Sequence, residues 1–114
     1  MTQRVRVPVG FAYLLILVVG LALAQTAEPG RAAIRVFQFQ PVALEVPPGG
    51  RVTWTNHDDI THTVTSGLPG SPDGRFDVPL GGKGASGSVV FPDSGVYPYF
   101  CARHPSMRGE VAVR

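Results

Sequence analysis

Cys101-Ala-Arg-His104-Pro-Ser-Met107 gathers a thiol, an imidazole and a thioether on one short segment. A second imidazole, His62, stands 39 residues upstream in Asn56-His-Asp-Asp-Ile-Thr-His62-Thr-Val64. Soft sulfur ligands select copper(I), and imidazole suits copper in either oxidation state. Two His and one Cys in a trigonal plane, with a weak axial Met, define a blue-copper electron-transfer centre. The spacing C-x2-H-x2-M fits one tight loop, whereas the fold has to deliver His62. The pattern implies a tertiary copper site on a rigid scaffold, with His62, Cys101, His104 and Met107 as the metal-binding set.

Each of these residues also has a plainer reading. His62 could be an ordinary exposed or capped histidine, but its place at the start of His-Thr-Val-Thr, after a polar turn, favours a ligand anchored by a strand. His57, in the same turn, reads as solvent-exposed. Asp58 and Asp59 read as turn residues, since Asp bonds readily to nearby backbone, and they are too few for a hard oxygen-ligand site. Cys101 could be an intermolecular disulfide partner or a buried inert thiol. His104 and Met107 just downstream favour the ligand reading. A lone core Met is usually gap filler, but Met107 lies in a Pro/Ser/Arg loop with little apolar company.

The amino terminus bears on the compartment. Arg4 and Arg6 precede an apolar run, Val9–Ala24, that ends in Ala22-Leu23-Ala24. A basic start, an apolar core and small residues at the cut read as a secretory signal peptide over residues 1–24. The alternative is a retained anchor, though sixteen residues fall short of the roughly 20 that span a bilayer. Cleavage near Ala24/Gln25 would release a periplasmic or extracellular protein, in contact with membrane only if the leader stays. A single Cys in an exported domain of this size is unusual, because such domains normally pair their cysteines.

The remaining 90 of 114 residues suffice for one domain, which buries roughly 60–70% of its unfolded surface. The formal charge of +2 comes from the leader. From Gln25 on, eight Lys and Arg face eight Asp and Glu, so the clustered basic surface of a nucleic-acid binder is not expected. Residues 25–32 read as a flexible lead-in and 33–114 as the copper-binding domain. Within it, short β-rich runs cover Ile34–Phe39, Val42–Val46, Arg51–Thr55, Thr61–Thr65, Arg75–Val78, Ser86–Phe91, Val96–Cys101 and Glu110–Val113. Gly/Pro turns such as Pro47-Pro48-Gly49-Gly50 and Pro69 to Gly74 separate them. About eight short strands without a helical period argue an all-β sandwich or barrel. Alternation places Val52 and Trp54 in the core. It puts Tyr97, Tyr99 and Cys101 on one face, with Phe100 facing outward beside the site. Pro98 implies an edge or irregular pairing.

These residues resemble the cupredoxins, in particular the plastocyanin/amicyanin group. The likeness runs from Phe37-Gln-Phe39-Gln-Pro41 through Pro48-Gly49-Gly50-Arg51-Val52-Thr-Trp54-Thr-Asn56, Asp58 and His62-Thr63-Val64. It ends in Gly95-Val-Tyr97-Pro-Tyr99-Phe-Cys101-Ala-Arg-His104-Pro105-Ser-Met107. The resemblance implies a Greek-key β-sandwich, one copper ion held by His62, Cys101, His104 and Met107, and a Thr63 N–H aimed at the Cys101 sulfur. The short gap from His104 to Met107 is similar to that of amicyanins. The acidic patch of plant plastocyanins is not evident. The expected function is a monomeric one-electron carrier, not an enzyme, between redox proteins that dock near His104. The other reading is a copper chaperone or store of the cell envelope, against which one mature Met and a closed donor set argue. Three histidines without a His-x-His pair argue against a multicopper enzyme.

Overall fold

The computed structural model describes residues 2–4, 10 and 29–114. Apart from residues 2–4 and 10, the expected leader lies outside the described residues, as do residues 25–28 of the lead-in. Among the described residues no helix is long and apolar enough to cross a membrane. The strands are β1 (Gly30–Arg35), β2 (Gln38–Gln40), β3 (Ala43–Val46), β4 (Gly50–Asn56), β5 (His62–Leu68), β6 (Ser71–Leu80), β7 (Ser86–Phe91), β8 (Gly95–Phe100) and β9 (Arg108–Val113). They form two facing sheets, β2-β1-β4-β7 and β3-β9-β8-β5-β6. The all-β sandwich expected from the sequence is therefore the fold.

Period-2 alternation builds the core. In β4 Val52, Trp54 and Asn56 are buried, while Thr53 and Thr55 turn outward to hydrogen-bond Ser88 and Ser86 on β7. In β8 Tyr99 is buried and Tyr97 packs partly against the core. Trp54, Tyr99 and Phe39 meet edge to face, with centroids 5.3 Å apart for Trp54–Tyr99 and 4.8 Å for Phe39–Tyr99. Such pairs add to the roughly 1.5–3 kcal/mol that burial of each large apolar side chain contributes. Burial also pushes the Tyr99 hydroxyl pKa up.

Four sequence expectations need correction. The turn expected over Pro69 to Gly74 is confined to its first residues, because Ser71 and Pro72 already pair with Leu68 and Gly67 and β6 runs from Ser71 to Leu80. The run Ile34–Phe39 is not one strand: Arg35 pairs with Gln38, so Val36 and Phe37 form a two-residue hairpin loop. Both carry positive φ, 49° and 57°, in a turn that usually takes Asn-Gly, so no turn signal was legible. The lead-in expected over 25–32 already belongs to the sheet from Gly30. There β1 runs parallel to β4, from Gly30 opposite Val52 to Ile34 opposite Asn56, and the ladder is made by backbone groups that Gly30, Arg31 and Ala32 all carry. Phe100 faces away from the core as alternation requires, yet only 5% of it is exposed, so it is no surface residue.

Pro98 does coincide with irregular pairing. Strand β8 pairs with β9 from Gly95 to Phe100, but with β5 only at Tyr99 and Phe100. Opposite Tyr99 on β9 lies Gly109, where an added Cβ would fall well inside contact distance of the Tyr99 ring and hydroxyl. Because that ring is wedged against Trp54 and Phe39, it has little room to retreat. Gly109→Ala is expected to lower stability by about 1–3 kcal/mol. The urea midpoint of the metal-free protein reads this, and an unchanged midpoint would show that the ring shifts freely.

Candidate metal centre

Strand order carries distant residues to one end of the sandwich. His62 opens β5 and Cys101 follows the last residue of β8. The 101–107 loop then returns the chain to β9. Two successive tight turns shape this loop: the His104 N–H donates to the Cys101 carbonyl at 3.2 Å, and the Met107 N–H to the His104 carbonyl at 2.9 Å. The Cys101 N–H closes it on the Met107 carbonyl at 3.1 Å. His62, Cys101 and His104 each direct one donor atom to a common point, all three atoms within 4.8 Å of one another. The Cys101 Sγ lies 3.8 Å from His62 Nδ1 and 3.7 Å from His104 Nδ1. His62 and Cys101 are fully buried, and His104 is half-buried. Met107, at the far end of the loop, is 3% exposed and belongs to the core cluster. It therefore has the apolar company that its loop sequence did not suggest.

Backbone and side-chain bonds hold the sulfur in place. The Thr63 N–H donates to Cys101 Sγ at 3.4 Å, a contact that fixes the sulfur against the start of β5. The Thr63 hydroxyl accepts from the Ala102 N–H at 2.8 Å and lies 2.8 Å from Thr65 Oγ1. The Thr65 hydroxyl in turn donates to Asp77 at 2.8 Å. This relay ties the loop to β5 and β6.

On the imidazole side the organiser is Asp58. Its carboxylate accepts the backbone N–H of Val36 at 2.8 Å and of Phe37 at 3.0 Å. It also meets His62 Nε2 at 2.9 Å. The Phe37 N–H bond is the largest influence holding its carboxyl below the usual aspartate range, and the bonds from His62 and Val36 act in the same direction. An ionised carboxylate can only accept, so His62 Nε2 carries the proton and Nδ1 is left with its lone pair toward Sγ. Among the described residues, no other hydrogen-bond partner approaches that buried Nδ1. The Cys101 sulfur, 3.8 Å away, is thus its one hydrogen-bond-range neighbour, and a soft metal ion between the two donor atoms would suit both. A carboxylate that orients a metal-binding histidine through its second nitrogen is a recurrent device.

Asp58 is more than a turn residue, and sequence reading underrated it; its position four residues before His62 was the available signal. Phe37 was missed as well. Its ring stands edge-on to both imidazoles, with centroids 5.2 Å from His62 and 5.0 Å from His104. It is 47% exposed, so the exposed aromatic beside the site is Phe37 and not Phe100. His57 remains outside the cluster. It is half-buried, and its backbone N–H bonds to the Ile34 carbonyl at 2.9 Å.

Residues 29–114 match the family described as copper binding proteins, plastocyanin/azurin family. The chain is 32% identical over 97 residues to amicyanin-alpha of Methylorubrum extorquens, covering 82% of this chain and 80% of that protein. It is 29% identical over 124 aligned positions to the chloroplastic plastocyanin of Tetradesmus obliquus, covering 98% and 82%. Among solved structures, a purple cupredoxin from Nitrosopumilus maritimus aligns with a TM-score of 0.69 and 33% identity, over 75% of this chain and 99% of that one. A reduced copper(I) form of an amicyanin variant aligns with a TM-score of 0.66 and 28% identity, over 76% and 83%. The trio His62, Cys101 and His104 fits a type 1 copper site.

Asp58→Asn tests the carboxylate. The amide cannot accept from three donors at once, and its NH2 would favour the wrong tautomer of His62. Copper affinity, read by chelator competition, is expected to fall about 10–100-fold. The carboxyl of the folded protein titrates below its ordinary value of 3.8, so its contribution to stability is present above that value. It is lost as pH falls through the lowered one. Acid unfolding of the metal-free wild type should show this dependence and Asp58→Asn should lack it. Identical acid profiles and copper affinities would show that the clasp does not act on the site.

Proposed function

Since the chain belongs to the plastocyanin/azurin family of copper-binding proteins, we propose that it is a small exported one-electron carrier acting between redox proteins. The observation that supports this best is the convergence of buried His62 and Cys101 with half-buried His104, donor atoms within 4.8 Å, at one end of a stiff sandwich. Bound copper would supply the one-electron couple. The protein's part is to keep the donor atoms nearly still between the two oxidation states, so that little reorganisation opposes transfer. The 101–107 loop bonds, the Thr63 N–H and the Asp58 clasp each serve that end.

Met107 completes the set as the weak axial donor in this reading. It ends the loop that begins at Cys101, and its burial would keep water from that side. His104 is the route for the electron, because it is the one member of the trio that reaches the surface. Pro105 beside it and Phe37 against it supply an apolar contact area. Small contact areas suit short-lived redox encounters. Residues 1–24 direct export, and residues 29–114 act as a monomer once the leader is removed. No enzymatic step is assigned: the donor set leaves no open position for a substrate, which a catalytic metal needs.

Loading residues 25–114 with copper(II) and recording the visible spectrum tests the reading. An intense thiolate-to-copper band, blue or shifted toward purple, is expected. Loss of that band in Cys101→Ser, with far-UV circular dichroism unchanged, would follow from the thiolate's role. A wild type that takes up only colourless copper(I) would replace the carrier with a copper-handling protein. Met107→Leu should retain copper, because the axial bond is long and weak, and should shift the reduction potential. An unshifted potential would leave Met107 as core packing alone.

A further inference from the structure

The charge on residues 29–114 is unevenly placed. Arg35 closes β1 at the hairpin that carries Phe37. Lys83 lies in the 81–85 loop, which the Gly84 N–H fixes to the Asn56 carbonyl at 2.7 Å. Arg103 sits inside the 101–107 loop, and Arg108 opens β9 directly after Met107. All four are exposed, and none forms an ion pair with a described residue. Acidic groups at this end are Asp58, Asp59 and Asp77: Asp58 is turned inward to Val36, Phe37 and His62, and Asp77 accepts the Thr65 hydroxyl at 2.8 Å, in the row that runs through Thr65 and Phe100 to Arg108. Glu110, two residues along β9, borders the same flank beside Arg108 and Val42. Elsewhere the charges are mixed, with Arg114 near Glu45 at 3.4 Å and Arg75 near Asp73 at 3.9 Å.

Inside this cationic ring the surface is apolar. Val36 is 79% exposed, Val42 62%, Phe37 47% and Ile60 40%, and Phe37 leans on His104. Exposed apolar residues grouped in one place mark interaction surfaces. Here they coincide with the half-buried imidazole and with unpaired cations.

We propose that this face docks a one-electron redox protein whose own docking surface is acidic, with carboxylates meeting Arg35, Lys83, Arg103 and Arg108 around an apolar contact at Phe37. Guanidinium groups pair carboxylates through two parallel hydrogen bonds, and a ring of one sign steers an oppositely charged partner before contact. The partner's redox role rests on the carrier reading; the electron one protein loses is the electron the other gains, and no covalent bond or proton changes place. Because the cations lie at the rim, they should act on association, and the effect should fade with salt.

The probe is a c-type cytochrome in two forms, native and lysine-rich, or acidic after succinylation of its lysines. Metal-free protein labelled with 15N is titrated with each at low ionic strength. The acidic form should bind at least about tenfold more tightly, with amide shifts centred on Phe37, Arg103 and Arg108, and the difference should vanish in high salt. Arg103→Glu/Arg108→Glu, which leaves the ring with no net positive charge, should abolish the preference. Arg31→Glu/Arg51→Glu, the same charge change at the opposite end, should leave it in place. Equal binding of both forms, shifts elsewhere, or equal responses to the two double variants would overturn the docking face. Stopped-flow mixing of the copper-loaded protein with each cytochrome separates the two readings. Electron exchange without charge discrimination would sink the docking face and spare the carrier; acidic-form binding here without electron exchange would sink the carrier and the partner's redox role with it.

Discussion

One carboxylate holds together three things that would otherwise fall apart. Asp58 accepts two backbone N–H groups from a strained hairpin loop and one from a buried imidazole. Val36 and Phe37 sit in the left-handed region, which costs of order 1–3 kcal/mol per residue for side chains of this kind. Charge-assisted hydrogen bonds of that number can offset such a cost. Without them the loop would relax, Phe37 would leave the two imidazoles, and His62 would lose the partner that fixes its proton. The turn, the aromatic cover and the tautomer are therefore one unit.

Asn56 extends that unit into the sandwich. Fully buried, it accepts the Asp58 N–H at 2.9 Å and donates to the carbonyls of Ile60 at 2.8 Å and Leu80 at 3.2 Å. The 57–61 loop is thus anchored at its start, its middle and its neighbour β6. On the other side, the Thr63–Thr65–Asp77 relay anchors the Cys101 loop to β5 and β6. Both halves of the candidate site are referred to the same two strands. Movement of one half relative to the other would require β5 itself to deform, and its buried residues Val64, Thr65 and Ser66 resist that.

The sequence made the trio His62, Cys101 and His104 legible because donor chemistry is carried by residue type, and few residues of those types were available to choose from. The sandwich was legible because alternation and Gly/Pro punctuation are local signals. What could not be read was geometry imposed from a distance. Nothing in Val36-Phe37 signals a tight turn, since the group that makes it tolerable is Asp58, some twenty residues away in the chain. The exposure of Phe100 was misjudged because alternation tells which way a side chain points, not what covers it. Gly30 to Ala32 read as a lead-in because their partner, β4, lies well downstream.

The two imidazoles divide the work of the candidate centre unequally. His62 is fully buried and clasped, so its ring has one orientation and one tautomer. His104 is half-buried, and among the described residues the Cys101 sulfur is the one hydrogen-bond-range partner of its imidazole; the residue is steadied by backbone turns and by the edge of Phe37 instead. A site clasped on both sides would be rigid but sealed, with no atom near the surface for an electron to cross. One open on both sides would admit water and lose its geometry. Anchoring the deep histidine by a carboxylate and the shallow one by an aromatic edge meets both demands. Phe37 is the residue on which they meet, because the bond that sets its backbone is made by the same carboxylate that sets His62.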